Sequence, residues 1–302
     1  MTKPKEILNT ENSGLVISYF GNSVAVEMRN GQVFQCLLHR NQQLPVVGDT
    51  VLWSRQGDAA GTIDQVLPRR SELVRADKRG KTKAIAANID VIIIVTSPPP
   101  IFSEFLIDRY LVAASLLNIP AILVVNKTDL LDTSQQITLD GALLPYQSIP
   151  YETLFTSVVN QAGMADLSRY LENKVGVLVG VSGVGKSSII AALSEDDPRV
   201  GVVSSKGIGK HTTTATRLHH LRAGGALIDS PGVREFNLWP VAKEDLQAGF
   251  VEFKDYLTGC RFRNCSHGAE PDCAIKSALL SGKISPKRFE SYQLLLKEYS
   301  KP

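Results

Sequence analysis

The sequence predicts a multidomain α/β protein of three consecutive parts: an N-terminal β-barrel, a doubly wound α/β domain in permuted order, and a C-terminal helical segment gathered around a metal. Three observations support this. Five short apolar runs separated by glycine and asparagine turns occupy residues 10–72 of a 302-residue chain. The stretch Gly180-Val181-Ser182-Gly183-Val184-Gly185-Lys186-Ser187 has the spacing of a phosphate-binding loop, and the element Asn126-Lys127-Thr128-Asp129 precedes it instead of following it. Three of the four cysteines and one histidine cluster at Cys260, Cys265, His267 and Cys273.

In the first part, residues 15–20, 24–28, 33–38, 50–53 and 61–67 read as strands, with Gly21-Asn22, Asn30-Gly31, Gly48-Asp49 and Gly57-Asp58 as the turns between them. Five strands in so short a span suit a small barrel of the OB type, a common platform for single-stranded nucleic acid. An SH3-like barrel or a structural cap is the alternative. Cys36 lies within an apolar strand and is assigned to the core. Residues 68–83 carry Arg69, Arg70, Arg75, Lys78, Arg79, Lys81 and Lys83 against Glu72 and Asp77, the pattern of a solvated linker beside a nucleic-acid module.

In the second part, the buried-strand run 175–179 leads into the phosphate loop, and residues 187–193 read as a helix after it. Its glycines let the backbone N–H groups of Gly180, Val181, Ser182, Gly183, Val184 and Gly185 close around phosphate oxygens. Lys186 reaches the β/γ oxygens, Ser187 offers its hydroxyl to Mg²⁺, and Ser188 extends the set at the positive end of the helix dipole. After the strand 121–125, Asp129 can accept from guanine N1–H and the exocyclic amine, Asn126 can contact the other edge, and the Lys127 stem can cover the base face. Adenine lacks that donor pair and would leave a buried carboxylate unpaired, which makes such a site selective. Leu154-Phe155-Thr156-Ser157 is expected to be the strand and loop that present a backbone N–H to guanine O6.

Downstream, residues 226–229 read as a strand ending in Asp229-Ser230-Pro231-Gly232, where Asp229 can hold Mg²⁺ through water and the Gly232 N–H can bond the γ-phosphate; a buried strand ending in a Pro-Gly turn is the alternative. Between them, Gly207-Ile208-Gly209-Lys210-His211-Thr212-Thr213-Thr214 enters three threonines, one of which closes over Mg²⁺; Thr213 is favoured and its neighbours stay open. The resulting order is that of a circularly permuted P-loop GTPase domain. Joining the old ends leaves strand neighbours intact, and Asn173-Lys174 is short enough to be the splice between a helix at about 163–172 and strand 175–179.

In the third part, three thiolates and an imidazole match a tetrahedral Zn²⁺ site, and a full set of protein ligands makes the metal structural. Three local cysteines cannot pair evenly as disulfides. Leu246, Phe250, Phe253 and Leu257 recur at helical spacing, as do Phe289, Tyr292, Leu295, Leu296 and Tyr299 after Ser285-Pro286. Arg261, Arg263, Lys276, Lys283, Lys287 and Arg288 are placed on the surface of this part, where they could face a phosphate backbone. The expected division is a barrel over 1–72, the permuted domain over 73–240 and the zinc-binding helical domain over 241–302.

Composition, 43% hydrophobic and 21% charged with a net charge of +3, is that of a globular protein and names no partner. No secretory apolar core opens the chain and no run approaches the roughly 18 apolar residues of a membrane span. The combination of barrel, Asn126-Lys127-Thr128-Asp129, Gly180 to Ser187, Lys210 to Thr214, Asp229-Ser230-Pro231-Gly232 and the Cys/His cluster resembles, over nearly the whole chain, the ribosome small subunit-dependent GTPases, the RsgA family. The resemblance implies a cytoplasmic, membrane-free factor that binds the maturing 30S subunit, contacts 16S rRNA and hydrolyses GTP there, carrying structural Zn²⁺ and Mg²⁺ with its nucleotide. A monomer is the default.

Val233 follows Gly232 at a position where many GTPases carry a water-orienting glutamine, so intrinsic turnover should be slow. Completing such a site from outside can be worth about 10⁵-fold. His211 is therefore expected to orient the water when a ribosomal partner orders its loop, with an exposed loop residue as the alternative; His219 and His220 are assigned to structure. Because Asp229 to Gly232 runs on into the zinc segment, loss of the γ-phosphate is expected to reorient that segment, GTP favouring docking and GDP release. Two other readings stay open. In one, the chain is a nucleotide-gated rRNA-binding scaffold or acts at another ribosomal assembly step. In the other it is a phosphate-loop kinase, which leaves Asn126 to Asp129 unexplained.

Overall fold

The computed structural model describes residues 12–38, 43–57, 60–76, 82–98, 100–195, 216–229 and 238–299. The first five strands are β1 (Ser13–Tyr19), β2 (Ser23–Glu27), β3 (Val33–Leu37), β4 (Thr50–Arg55) and β5 (Ala60–Val66). They close in the ring order β1-β2-β3-β5-β4-β1, with β3 and β5 parallel and the other pairs antiparallel. That is the OB arrangement. Alternation turns Phe34 and Cys36 of β3 inward, onto Val16, Val24, Val26, Val51, Trp53 and Ile63. The Phe34 and Trp53 rings meet at a centroid distance of 4.6 Å.

Among the described residues, the basic run after the barrel is mostly strand and not linker, although Arg70, Arg75 and Lys83 are exposed. Residues Glu72–Ala76 (β6) and Thr82–Ala87 (β7) pair as an antiparallel hairpin, and Leu73 and Ala86 are fully buried in the main core. Arg69, expected in solvent, has a side chain only 6% exposed and lies against the buried Asp49, with Nε–Oδ1 at 2.7 Å and Nη2–Oδ2 at 2.8 Å. Desolvation alone would weaken the Arg69 charge, but hydrogen bonding and attraction from Asp49 outweigh it and raise its pKa. Charge counting misses such a pair because it does not show which carboxylate the fold will bring alongside.

The α/β domain holds β8 (Val91–Thr96), β9 (Ala121–Asn126), β10 (Glu152–Thr156), β11 (Val175–Val179), β12 (Arg217–His220) and β13 (Ala226–Asp229) in the order β10-β9-β8-β11-β13-β12. All pairs are parallel except β12 with β13. Every residue of β8 is buried, as expected of a central strand covered on both faces. Helices α1 (Glu104–Leu116) and α2 (Thr133–Gln147) cover one face; α3 (Met164–Tyr170) and α4 (Lys186–Leu193) cover the other. Ser103 caps α1, and Asp132 with Gln135 forms a capping box at α2. At the splice, Asn173 takes a left-handed conformation (φ 59°) that asparagine tolerates, and Lys174 N–H closes onto Leu171 O at 3.0 Å. Strand order reverses between β8 and β11, the place where open α/β sheets form ligand crevices.

The C-terminal part consists of α5 (Lys243–Gly249), short 3₁₀ turns at Val251–Phe253 and Leu257–Gly259, α6 (Ala274–Leu280) and α7 (Pro286–Tyr299). The apolar recurrence from Leu246 to Leu257 is therefore not one helix. Gly249 lies so close to α1 that a Cβ there would stand 2.7 Å from Val112 Cγ1. The chain leaves the helix at Phe250 (φ −89°, ψ 94°) and turns so that Phe250 and Phe253 are both buried against Tyr292. The recurrence over 289–299 does form a helix, with Pro286 at its first position.

Arg288 is also not where the sequence suggested. Its side chain is 1% exposed, with Nη1 2.7 Å from Asp108 Oδ1 on α1 and Nε and Nη2 at 2.7 and 2.8 Å from the two Glu252 oxygens. Tyr146 of α2 donates to Asp108 Oδ1 at 2.8 Å, and the guanidinium lies 4.9 Å from the Phe250 ring centroid. Desolvation opposes the Arg288 charge, but Asp108 and Glu252 overcome it and hold the guanidinium firmly protonated. Burial raises the pKa of Asp108, an effect that Arg288 only partly offsets. This ion triad joins the C-terminal part to both helices on that face of the sheet.

Candidate functional site

The C-terminal ends of β8, β9, β10, β11 and β13 share one edge of the sheet, so Asn126, Ser157, Gly180 and Asp229 all leave their strands there. The phosphate loop begins at Gly180 (φ 137°), where a Cβ would fall 2.1 Å from Val95 O of the neighbouring strand. At Gly185 (φ 99°) a Cβ would fall 2.3 Å from Asn126 Nδ2. Those two glycines let the loop approach β8 and the Asn-Lys-x-Asp element. Gly183 (φ 86°) faces open space, and Val184 is buried as the apolar anchor of the loop. Lys186, 7% exposed, donates from Nζ to Gly180 O and Val181 O, both at 2.6 Å, and so holds the loop in a closed curve. Ser182, Ser187 and Ser188 are exposed at its mouth.

Asn126 has a role that spacing did not reveal. It is 2% exposed; Nδ2 donates to Val184 O at 2.9 Å, and Oδ1 accepts from Thr156 Oγ1 at 3.1 Å. One amide hydrogen is left for a base edge. The side chain thus braces three segments of the site against one another. Lys127 adopts φ 66°, a conformation uncommon for lysine, and its Cε would lie 3.8 Å from a Cβ on Gly185. Its stem therefore runs beside the phosphate loop. Asp129 is exposed and accepts from Ser157 Oγ at 2.5 Å.

Ser157 uses its backbone N–H within its own turn, donating to Ala162 O at 2.9 Å, and its hydroxyl orients the Asp129 carboxylate. A serine after an apolar strand carries no signal of that use. Asp229 is half-buried at the end of β13, opposite Arg217. His211, Thr212, Thr213, Thr214 and Gly232 lie outside the described residues.

A second cluster joins Cys260, Cys265, His267 and Cys273, whose ligand atoms all lie within 4.8 Å of one another. Cys260 Sγ stands 3.6 Å from His267 Nδ1 and 3.9 Å from Cys273 Sγ, and His267 Nδ1 stands 3.3 Å from Cys273 Sγ. A tetrahedral shell with metal–sulfur bonds of about 2.3 Å has edges of about 3.8 Å. A disulfide would bring two sulfurs to about 2.05 Å, and all four cysteines are free thiols. The donor set and spacing fit a tetrahedral metal. Burial pushes the Cys265 thiol up to about 12, a cost that a cation among the sulfurs would reverse.

The sequence did not single out the supports of this cluster. Glu270 accepts from Ser266 N–H at 2.7 Å, Ser266 Oγ at 2.6 Å and Gly268 N–H at 2.8 Å; these hydrogen bonds, led by the Ser266 hydroxyl, lower its carboxyl to about 2. Gln247 of α5 donates to Cys265 O at 2.7 Å. An acidic residue between two ligands was the available signal for Glu270; Gln247 had none, being eighteen residues away in the chain. No helix among the described residues is long and apolar enough to cross a membrane.

Comparison with known proteins agrees with this geometry. A family model described as RsgA GTPase matches residues 66–239. The chain is 46% identical over 301 residues to the small ribosomal subunit biogenesis GTPase RsgA of Azotobacter vinelandii, spanning 98% of this chain and 88% of that one. It is 47% identical over 291 residues to the protein of the same name from Pseudomonas aeruginosa, spanning 96% and 86%. Among solved structures, it superposes on YjeQ from Thermotoga maritima with a TM-score of 0.77 at 30% identity, over 95% of this chain and 98% of that one. On YloQ, described as a circularly permuted GTPase, the TM-score is 0.74 at 27% identity, over 96% of each chain.

Proposed function

The chain belongs to the RsgA GTPase family, and from that premise we propose that it hydrolyses GTP on the small ribosomal subunit in the late maturation of that particle, contacting 16S rRNA. The observation that carries this reading is the Asn126–Val184 hydrogen bond, which joins the base-reading element to a phosphate loop lying 58 residues away in permuted order. On this reading Asp129 accepts from guanine N1–H and the exocyclic amine, Asn126 offers its remaining amide hydrogen, and the Lys127 stem covers the ring. Backbone N–H groups from Gly180 to Gly185, with Ser188, surround the phosphates, and Lys186 exchanges its loop carbonyls for β/γ oxygens. Ser187, Thr213 and Asp229 hold Mg²⁺, which supplies charge neutralisation for phosphoryl transfer. Gly232 bonds the γ-phosphate and His211 orients the attacking water.

We divide the chain into a barrel that meets rRNA through residue 72, a GTPase domain over 73–240 and a zinc domain over 241–302, working as a monomer in the cytoplasm. GTP favours docking and GDP favours release. GTP turnover is expected to rise with purified 30S subunits and not with 50S; equal rates in both would refute the partner. His211→Ala should lower 30S-stimulated turnover roughly a hundredfold, and an unchanged stimulated rate would remove His211 from the mechanism. For the Cys/His cluster, elemental analysis of the purified chain should return one zinc per molecule, lost in Cys273→Ser. Another metal, or none in the wild type, would overturn zinc as the occupant.

A further inference from the structure

Strand β12 lies between the barrel and the nucleotide site. On one side all four of its residues pair with β13, placing Arg217 opposite Asp229. On the other side, among the described residues, it meets β1 of the barrel by the register pair Ser18 with Arg217 and by a 3.3 Å bond from Tyr19 N–H to Thr216 O. At the far end of β12, His220 Nε2 lies 2.7 Å from Glu27 Oε2 of β2, with the Glu27 side chain 16% exposed. Glu27 is itself held in the barrel ring, opposite Leu15 of β1 and Val33 of β3. Both ends of β12 are therefore gripped by the barrel, by backbone at Thr216 and by a carboxylate at His220.

The hydrolytic site proposed above meets this strand at Asp229, the cross-strand partner of its first residue. The base-reading element leaves β9, which β12 does not pair with, whereas the helix after the phosphate loop runs on to Glu195, whose N–H donates to His220 O at 3.0 Å. The barrel's hold on β12 thus reaches the magnesium end of the site without passing through the base-reading element.

We propose that Glu27 is a positioning residue for GTP hydrolysis: by holding His220, it fixes β12 and with it Asp229. The inference rests on the GTPase reading above and extends it to the barrel, making that domain part of the catalytic frame as well as a docking module. The contact needs no particular charge on His220, because either the neutral Nε2–H tautomer or the cation donates to the carboxylate. A glutamine at position 27 keeps an acceptor oxygen at the same reach.

The test compares full-length Glu27→Ala and Glu27→Gln with wild type, without and with 30S subunits. In Glu27→Ala, kcat for unstimulated GTP turnover should fall about tenfold while the Kd for GDP stays within about twofold, the loss expected for one charge-assisted hydrogen bond acting on the transition state alone. Glu27→Gln should recover to within about threefold of wild type. Hydrogen exchange at the Tyr19 amide should quicken in Glu27→Ala and not in Glu27→Gln. Unchanged kcat or unchanged Tyr19 exchange in Glu27→Ala overturns the proposal. So does a fall in kcat matched by an equal loss of GDP affinity that glutamine does not restore, since that pattern is damage to the fold. A wild type unresponsive to 30S would refute the ribosomal partner and leave the unstimulated rates to judge Glu27.

Discussion

Asp129→Asn should weaken GTP binding by about 10²–10³-fold and abolish the preference for guanosine over adenosine nucleotides, because two charge-assisted hydrogen bonds of about 1.5–3 kcal/mol each are replaced by one neutral bond and one clash of donors. The asparagine amide would point an N–H at an N–H of the base. Ser157 makes the prediction sharper. Its hydroxyl already donates to Asp129 Oδ1, so the carboxylate is oriented before any nucleotide arrives and little is lost in ordering it. Xanthosine triphosphate, which carries a carbonyl where guanine has its amine, should bind the variant better than GTP does. Calorimetry with GTP, ATP and xanthosine triphosphate on both proteins measures all three affinities. If the variant keeps its guanosine preference, Asp129 does not read the base and the assignment of Asn126 to Asp129 is wrong.

Arg288→Ala should destabilise the C-terminal part by about 3–5 kcal/mol, the usual cost of removing one partner from a buried ion cluster. Asp108 is fully buried, and without Arg288 it keeps hydroxyl donors, Tyr146 at 2.8 Å among them, but no cation beside it among the described residues. Thermal unfolding and limited proteolysis should show residues 241–299 opening before the nucleotide-binding core does. Replacing the cluster together, with Arg288→Met, Asp108→Leu and Glu252→Gln, should recover most of the loss, since the penalty comes from stranded charge more than from lost attraction. An Arg288→Ala protein as stable as wild type would show that the triad contributes nothing. The same triad bears on the proposal that nucleotide state reaches the C-terminal part. Chain continuity from Asp229 suggests that the domain reorients, but such a motion has to act against a contact that fastens it to α1 and α2.

Much of the site was legible because its chemistry is local. A phosphate loop depends on closely spaced glycines and a lysine, and the four candidate metal ligands fall within one short stretch, so spacing along the chain is nearly spacing in space. The barrel strands were legible for a similar reason, since a half-buried strand announces itself by alternation. The failures share a different cause. Arg69 and Arg288 were placed in solvent because exposure depends on Asp49 and Asp108, which lie 20 and 180 residues away. The Leu246 to Leu257 stripe was misread because helical spacing continues through a turn when both sides of the turn point into one core. Ser157 and Asn126 carry tasks that only the neighbouring loop assigns.

Residue order alone determined that this chain is a permuted nucleotide-binding domain with a barrel before it and a metal cluster after it, because each of those devices is made by residue types at fixed short intervals. The tertiary structure decided which charges are buried, which side chain braces the base-reading element to the phosphate loop, and that the barrel grips the strand leading to Asp229. Those are properties of pairs far apart in the chain. Their energies depend on distance and desolvation, which exist only once the chain has folded.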